Sequence, residues 1–261
     1  MQKTPPPLSV SIVTKNEAEN IRACLESVQE LASEIVVVDS GSTDGTPDVA
    51  REFGAKVLHQ EWLGFRDQKA FALTHCTQPW VLSLDSDESV SREMRASIED
   101  FFEGTHERID GAIFNRKVRF LGRWITHGDW YPDRKLRLFR RDRGRLIGDA
   151  THDAFGVEGT TTILPGDILH NSYPDMSSYI EKINRYADGH LDASRQAGKR
   201  WSLMANLTRP IWRFFRGYVL RCGFLDGFPG LWIAVATAFS AFVRYSRVYE
   251  DAVVSSDKRK D

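Results

Sequence analysis

Ile35-Val36-Val37-Val38-Asp39-Ser40-Gly41-Ser42-Thr43-Asp44-Gly45-Thr46 decides the fold of this chain. The β-branched run is too short for a helix and reads as a buried strand, Glu34 to Val38. It ends on an acid and opens into small polar residues. Thr46-Pro47 then has the N-cap and first-turn signature of a helix, with Val49, Ala50 and Phe53 on its inner face. This is one strand–loop–helix unit, and its neighbours repeat it. Upstream, Leu8 to Val13 reads as a strand, and Ile21, Cys24, Leu25 and Val28 recur at helical spacing. Downstream come a strand at Lys56 to His59, a helix over Asp67 to Cys76 and a strand at Trp80 to Leu84. Ser91 can cap a further helix reaching Phe102.

Four alternations of strand and helix predict an α/β fold, with a mainly parallel sheet flanked by helices on both faces. Ligands of such sheets sit beyond the carboxyl ends of the strands. The polar punctuation lies at those ends. Thr14, Asn16 and Glu17 follow the first strand, Asp39 to Gly45 the second, and Asp85, Asp87 and Glu88 the fourth. A carboxylate at Asp39 suits a ribose or a base, and glycines let the backbone approach closely. Asp85-Ser86-Asp87 offers two hard oxygen ligands, which suit Mg²⁺ or Mn²⁺ held against phosphate oxygens.

Beyond Gly111 the pattern changes. Gly111 to Phe120, Lys135 to Phe139 and Ile163 to Leu169 read as strands, separated by loops rich in Gly, Asp, Trp and His. Ser177 to Glu250 is helical in pattern. A boundary near Pro174 gives a domain over 8–174, with halves 8–105 and 106–174, and a helical extension over 175–252. Arg195 to Arg221 holds seven basic residues and no acid, interleaved with Trp201, Trp212, Phe214, Phe215 and Tyr218. On a helix, Arg209, Arg213 and Arg216 share one face, and Trp212, Phe215 and Val219 a neighbouring one. That pattern suits an interfacial helix drawn to anionic lipid. Leu231 to Val243, at thirteen residues, is short for a membrane span and reads as a buried or interfacial helix.

The formal net charge of −1 gives no global case for nucleic acid, and no recognition motif accompanies the basic stretch. Three cysteines, Cys24, Cys76 and Cys222, form no CxxC pair, which fits a reducing compartment without a disulfide framework or structural zinc. Met1 to Pro7 has no apolar signal-peptide core, so a cytoplasmic protein is expected.

The runs Ser11 to Glu17, Ile35 to Thr46 and Trp80 to Glu88 together resemble the family 2 inverting glycosyltransferases of the GT-A fold. Glu61 to Phe65 with Gln68-Lys69, Leu121 to Trp124, His127 to Pro132, Leu136 to Arg141 and Gly223 to Gly227 narrow the likeness. They resemble the bacterial beta-1,4-glucosyltransferases of the lipopolysaccharide or lipooligosaccharide inner core. The resemblance runs from about Leu8 to Tyr249.

It implies a Rossmann-like GT-A domain with a C-terminal helical extension, a UDP-sugar donor and a lipid-linked saccharide acceptor. It also implies a peripheral position on the cytoplasmic face of the inner membrane. Thr14, Asn16, Glu17, Asp39, Ser42 and Asp44 would line the nucleoside pocket, and Lys69 would face the diphosphate. Asp85, Ser86 and Asp87 would place the metal and the donor ribose. Thr151-His152-Asp153 stands where the subgroup shows a His-Glu pair. Asp153 is therefore the expected base, with Asp129 and Asp149 as reserves, and His152 is a further metal or phosphate contact. Trp124, His127, Trp130 and Tyr131 offer aromatic faces and polar partners for an acceptor sugar.

Two other classes are open to the sequence. A dinucleotide-dependent oxidoreductase would use Asp39 on a ribose, but Thr14 to Asn20 lacks the glycines of a phosphate-binding turn. A non-catalytic saccharide- or membrane-binding protein on the same scaffold would not need the paired acids that are present.

Overall fold

Successive residues of a strand face opposite sides of its sheet, and here both sides are apolar. Ile35 and Val37 join one buried cluster while Val36 joins another; Leu82 and Leu84 likewise oppose Val81. The strands carrying them can therefore sit only between two layers of covering structure. The computed structural model, which describes residues 4–148, 153–173 and 175–257, has that arrangement.

Its contacts divide the chain into two units, Met1–Lys117 with Asp133–Asn171, and Val118–Pro132 with Ser172–Asp261. In the first, the strands are β1 (Leu8–Thr14), β2 (Glu34–Asp39), β3 (Lys56–His59), β4 (Trp80–Asp85), β5 (Glu88–Val90), β6 (Gly111–Phe120), then β8 (Asp133–Arg140) and β11 (Thr161–Tyr173). Their order across the sheet is β3-β2-β1-β4-β8-β6-β11-β5. β3, β2, β1 and β4 run parallel. β8 pairs antiparallel with β4 and β6, and β5 pairs antiparallel with β11. The result is the mixed sheet of a GT-A fold.

The helices α1 (Ala18–Val28) and α4 (Arg92–Gly104) bury Ile21, Leu25, Met94 and Ile98 on one face. On the other face, Leu73 of α3 (Phe65–Thr74) packs with Val36, Val81 and Phe139. A separate antiparallel pair, β9 (Gly144–Gly148) and β10 (Asp153–Val157), adds Phe155, whose ring stacks on Phe139 at 4.9 Å. α2 (Thr46–Glu52) begins one residue differently from expectation. Gly45, at φ 85°, takes the cap position, and Thr46 is the first helical residue.

α4 is fixed at its start by Ser91, whose Oγ accepts from the N–H of Met94 at 3.2 Å and from that of Asp167 at 3.0 Å. The adjoining bend in β11 requires a glycine. Gly166 has φ +91°, and a Cβ there would lie 2.1 Å from the Met94 nitrogen. α4 and β11 thus approach each other backbone to backbone.

The second unit holds the far end of β6, β7 (Arg123–Trp124), a 3₁₀ turn at Gly128–Trp130, and three helices. These are α5 (Met176–Gln196), α6 (Leu203–Phe215) and α7 (Gly227–Asp257). A π-turn at Arg216–Leu220 follows α6. Phe120 lies 5.3 Å from Trp130 and 5.0 Å from Trp232, and Tyr179 lies 5.1 Å from Trp130, between ring centroids. That aromatic packing explains a difference from the sequence-based division. Residues 118–132, placed there with the acceptor half of the first domain, pack with the helices through Phe120, Ile125 and Trp130. The apolar run at Leu231 to Val243 is likewise part of a longer helix. The stretch Gly223–Val254 is long and apolar enough, by length and composition alone, to cross a membrane.

Candidate active site

The parallel strands bring their last residues to one edge of the first unit. Thr14 stands opposite Asp39 in the β1–β2 register, and Val13 stands opposite Asp85 in the β1–β4 register. Asp39 is 4% exposed. Its Oδ2 accepts from the N–H groups of Gly41 and Ser42, both at 3.0 Å, so the loop's own backbone orients the carboxylate. Among the described residues its buried Oδ1 has no hydrogen-bond partner, and the buried Thr14 Oγ1 has none either. Leaving such a group unsatisfied costs on the order of 1–3 kcal/mol, and few native structures do so without a reason.

The neighbouring loop residues serve mainly to hold this edge together. Asn16 takes a positive φ of 54°, donates its N–H to Ser42 Oγ at 2.8 Å and accepts from the Thr43 N–H at 2.8 Å. Asp44 accepts from the N–H of Ala18 at 3.1 Å and of Thr46 at 3.1 Å, and the Glu17 N–H donates to Thr46 Oγ1 at 2.9 Å. Asn16, Ser42 and Asp44 therefore stitch the first loop to the second. Gln68, fully buried on α3, donates to Ser40 Oγ at 2.9 Å and to the Gln60 carbonyl at 3.0 Å, which anchors the Asp39 loop from below. Burial pushes the Glu17 carboxyl up, the Asn20 hydrogen bond opposes it, and the charges of Asp87 and Asp44 push the same way as burial. The first loop and the Asp85–Asp87 segment are thus electrostatic neighbours.

Asp85 sits between two cations. Lys69 Nζ is 2.8 Å from its Oδ1, and an Arg137 guanidinium nitrogen is 3.1 Å from its Oδ2. Arg137 also reaches Glu88 at 2.8 Å, and Glu88 accepts the Asp85 N–H at 3.0 Å. Burial alone would raise the Asp85 pKa; the charges of Arg137 and Lys69 outweigh it and hold the carboxyl well below the usual range. Ser86 is buried in this turn. Beneath it, burial pushes the Cys24 thiol well up, with Glu88, Asp87 and Asp85 adding to the effect, so it stays an un-ionised filler.

Asp87 has a different partner. Its Oδ2 lies 3.1 Å from Nε2 of His170, while the buried His170 Nδ1 has no hydrogen-bond partner among the described residues. The pairing follows from the sheet. His170 of β11 stands opposite Glu88 of β5, and the Asn171 N–H donates to the Asp87 carbonyl at 3.0 Å. His170 and Arg137 are site residues that sequence reasoning does not single out, whereas Glu88 is among the acids it places at the end of the fourth strand. Arg137 lies inside the Leu136 to Arg141 motif, and a charge in the middle of a buried strand is the signal that points to it.

The remaining expected residues are distributed as follows. Asp149 and His152 lie outside the described residues. Asp153 opens β10, paired with Gly148 through the backbone, and its side chain also lies outside them. Asp129, a reserve for the base, is instead the anion of an arginine cluster in the second unit. Arg216 lies at 2.7 Å, Arg221 at 3.3 Å and Arg213 at 4.0 Å. Trp130 is partly buried and packs against Phe120 and Tyr179. His127 is fixed by the fully buried Asp226, through its N–H at 2.8 Å and its Nδ1 at 3.2 Å; Trp124 and Tyr131 are half-buried in the same unit.

The first unit thus carries two unsatisfied buried oxygens, a lysine and an arginine around one carboxylate, and a second carboxylate beside a histidine, all on the carboxyl edge of parallel strands. In open α/β sheets that edge is where ligands bind. The family model for glycosyl transferase family 2 matches residues 9–158. The chain belongs to that family, and it is a glycosyltransferase.

It is similar to the lipopolysaccharide core biosynthesis glycosyltransferase LpsC of Rhizobium meliloti, at 32% identity over 255 residues, covering 94% of this chain and 92% of that one. It is similar also to an uncharacterized glycosyltransferase of Rickettsia typhi, at 30% identity over 254 residues, covering 93% and 87%. Among solved structures, a mannosyltransferase from Pyrobaculum calidifontis in complex with GDP-Man and Mn²⁺ shares the fold. The TM-score is 0.50 and the identity 17%, over 98% of this chain and 80% of that one.

Proposed function

We propose that this enzyme moves a hexose, glucose in the first instance, from a UDP-sugar to a hydroxyl of a lipopolysaccharide core or other lipid-linked saccharide, with inversion at the anomeric carbon. The observation that carries the donor half is the pair of unsatisfied buried oxygens, Thr14 Oγ1 and Asp39 Oδ1, on adjacent strands. A uracil ring offers an N–H donor to such a carboxylate, and a nucleoside offers hydroxyls to the threonine. Lys69 and Arg137 then stand one step along the edge, where a diphosphate needs cations.

A divalent metal fits the residues present. Asp87 and His170 supply a carboxylate oxygen and an imidazole nitrogen, and the partnerless Nδ1 of His170 can take the proton that Nε2 gives up on ligation. No group of three His, Cys, Asp or Glu side chains suited to a metal occurs among the described residues. A Mg²⁺ or Mn²⁺ ion held there would therefore take its remaining ligands from water and phosphate oxygens. Bound there, the ion supplies charge neutralisation for the departing nucleoside diphosphate. Asp153 is assigned the acceptor proton, and Trp124, His127 and Tyr131 are the acceptor-side candidates. The likeness to LpsC supports the lipopolysaccharide core as acceptor class. With an acceptor of that kind, the position we propose is peripheral, on the cytoplasmic membrane face.

Calorimetry with UDP, with and without Mn²⁺, tests the donor site. Metal-dependent binding that is lost in Asp87→Ala and in His170→Ala is expected, and binding indifferent to metal would refute the assignment. A panel of UDP-sugars offered with core acceptors and read by mass spectrometry tests the donor and acceptor classes.

A further inference from the structure

α6 is amphipathic the wrong way round for a helix that packs in water. Its only buried residue is Asn206, which donates to Ser246 Oγ of α7 at 3.3 Å. Arg209 turns to Tyr245, its guanidinium 4.9 Å from the ring centroid. The apolar positions face out instead: Leu203 is 57% exposed, Leu207 51%, Ile211 70% and Phe215 44%, a stripe at spacings of four. Met204 and Trp212 flank it at 71% and 54%. On α7, Phe228, Val235, Phe239 and Phe242 are also 42–63% exposed, at spacings of seven, four and three. A packed helix buries its apolar stripe, so a surface of this size in the open is an interaction site.

Charge selects the occupant. The arginines beside the stripe converge on Asp129, three guanidinium groups to one carboxylate, which leaves two positive charges in excess. The side chains of Arg213 and Arg221 are 44% and 45% exposed. Residues 193–225 contain no acid at all. A two-fold contact with a second copy would press this basic surface against itself. An anionic bilayer meets both halves: acyl chains for the stripe, and phosphates for arginines that have too few carboxylates.

We propose that α6, the Arg216–Leu220 turn and the outward face of α7 form an in-plane docking surface for anionic phospholipid, with the apolar stripe entering the acyl boundary and the Asp129 arginine cluster taking headgroup phosphates. The purpose of the surface rests on the lipid-linked acceptor reading. Its existence does not, because vesicle binding requires neither donor nor acceptor.

The test is sedimentation of the full chain with vesicles of phosphatidylcholine alone, or of phosphatidylcholine with phosphatidylglycerol. Binding is expected to favour the anionic vesicles and to weaken with salt. Ile211→Glu, at an exposed position, should lower the partition coefficient by roughly tenfold or more while leaving the circular dichroism spectrum and UDP binding unchanged. Arg213→Gln should lower binding to anionic vesicles about fivefold and leave the neutral ones unaffected. Wild-type protein that ignores vesicles, or an Ile211→Glu variant that binds as well as wild type, overturns the proposal. So does a concentration-dependent dimer that Ile211→Glu disperses and vesicles do not compete with, since the occupant is then a second copy.

Discussion

Two carboxylates at the sheet edge illustrate how a residue's surroundings decide its task. Asp39 has one oxygen tied to the Gly41 and Ser42 amides and one left over. Asp39→Asn keeps an acceptor for those amides but puts an NH₂ where the free oxygen was. The loop should survive and UDP affinity should fall about ten- to a hundredfold, measurable by titration calorimetry. Asp85 is the opposite case, with both oxygens engaged by Lys69 and Arg137, whose side chains are only 7% and 6% exposed. Its folded-state pKa lies below the ordinary 3.8, so the unfolded chain takes up the proton first. The stability it contributes is complete above that value and is lost as pH falls below it. Asp85→Asn should remove that part of the acid-side decline. It should also cost on the order of 3 kcal/mol at neutral pH, because two buried cations lose their anion. Denaturant titrations across the acid range read both effects. Asp39 and Asp85 were both legible in the sequence as strand-ending acids. Their division of labour was not, because it depends on Arg137, fifty-two residues away.

Elements recorded their own existence in the sequence and left their partners unstated. β1, β2 and β4 were recognisable because a buried parallel strand is apolar on both faces, a property of the strand alone. β5 was not, since three residues carry no period, and it exists only by pairing with β11. That same pairing delivers His170 to Asp87 across eighty-three residues, which no local pattern encodes. The start of α4 is where this arrangement is most open to testing. Ser91 Oγ serves two backbone donors, one in its own helix and one in β11. Ser91→Ala should therefore destabilise the protein by about 1–2 kcal/mol, at the upper end for a lost cap, as measured by chemical denaturation. The basic and aromatic residues of α6 and the turn after it were legible in the sequence; that Arg209 packs on Tyr245, that Arg213 and Arg216 approach Asp129, and that the apolar stripe is left exposed depend on tertiary partners no local pattern encodes.

For the whole molecule, ligands that bind the folded state alone add to its stability by mass action. UDP with Mn²⁺ at about a hundred times its dissociation constant should add roughly 2.7 kcal/mol, seen as a rise in Tm, and EDTA should remove most of the gain. A rise that persists in EDTA would place the nucleotide elsewhere.

The two unsatisfied oxygens at Thr14 and Asp39 have a consequence for the enzyme's life in a cell. A fold that keeps hydrogen-bonding capacity in reserve is less secure empty than filled. The empty chain opens more often, and opened chains are what proteases remove. Abundance would then follow donor supply: a cell starved of nucleotide sugar would lose the transferase along with its substrate, with no dedicated regulator needed.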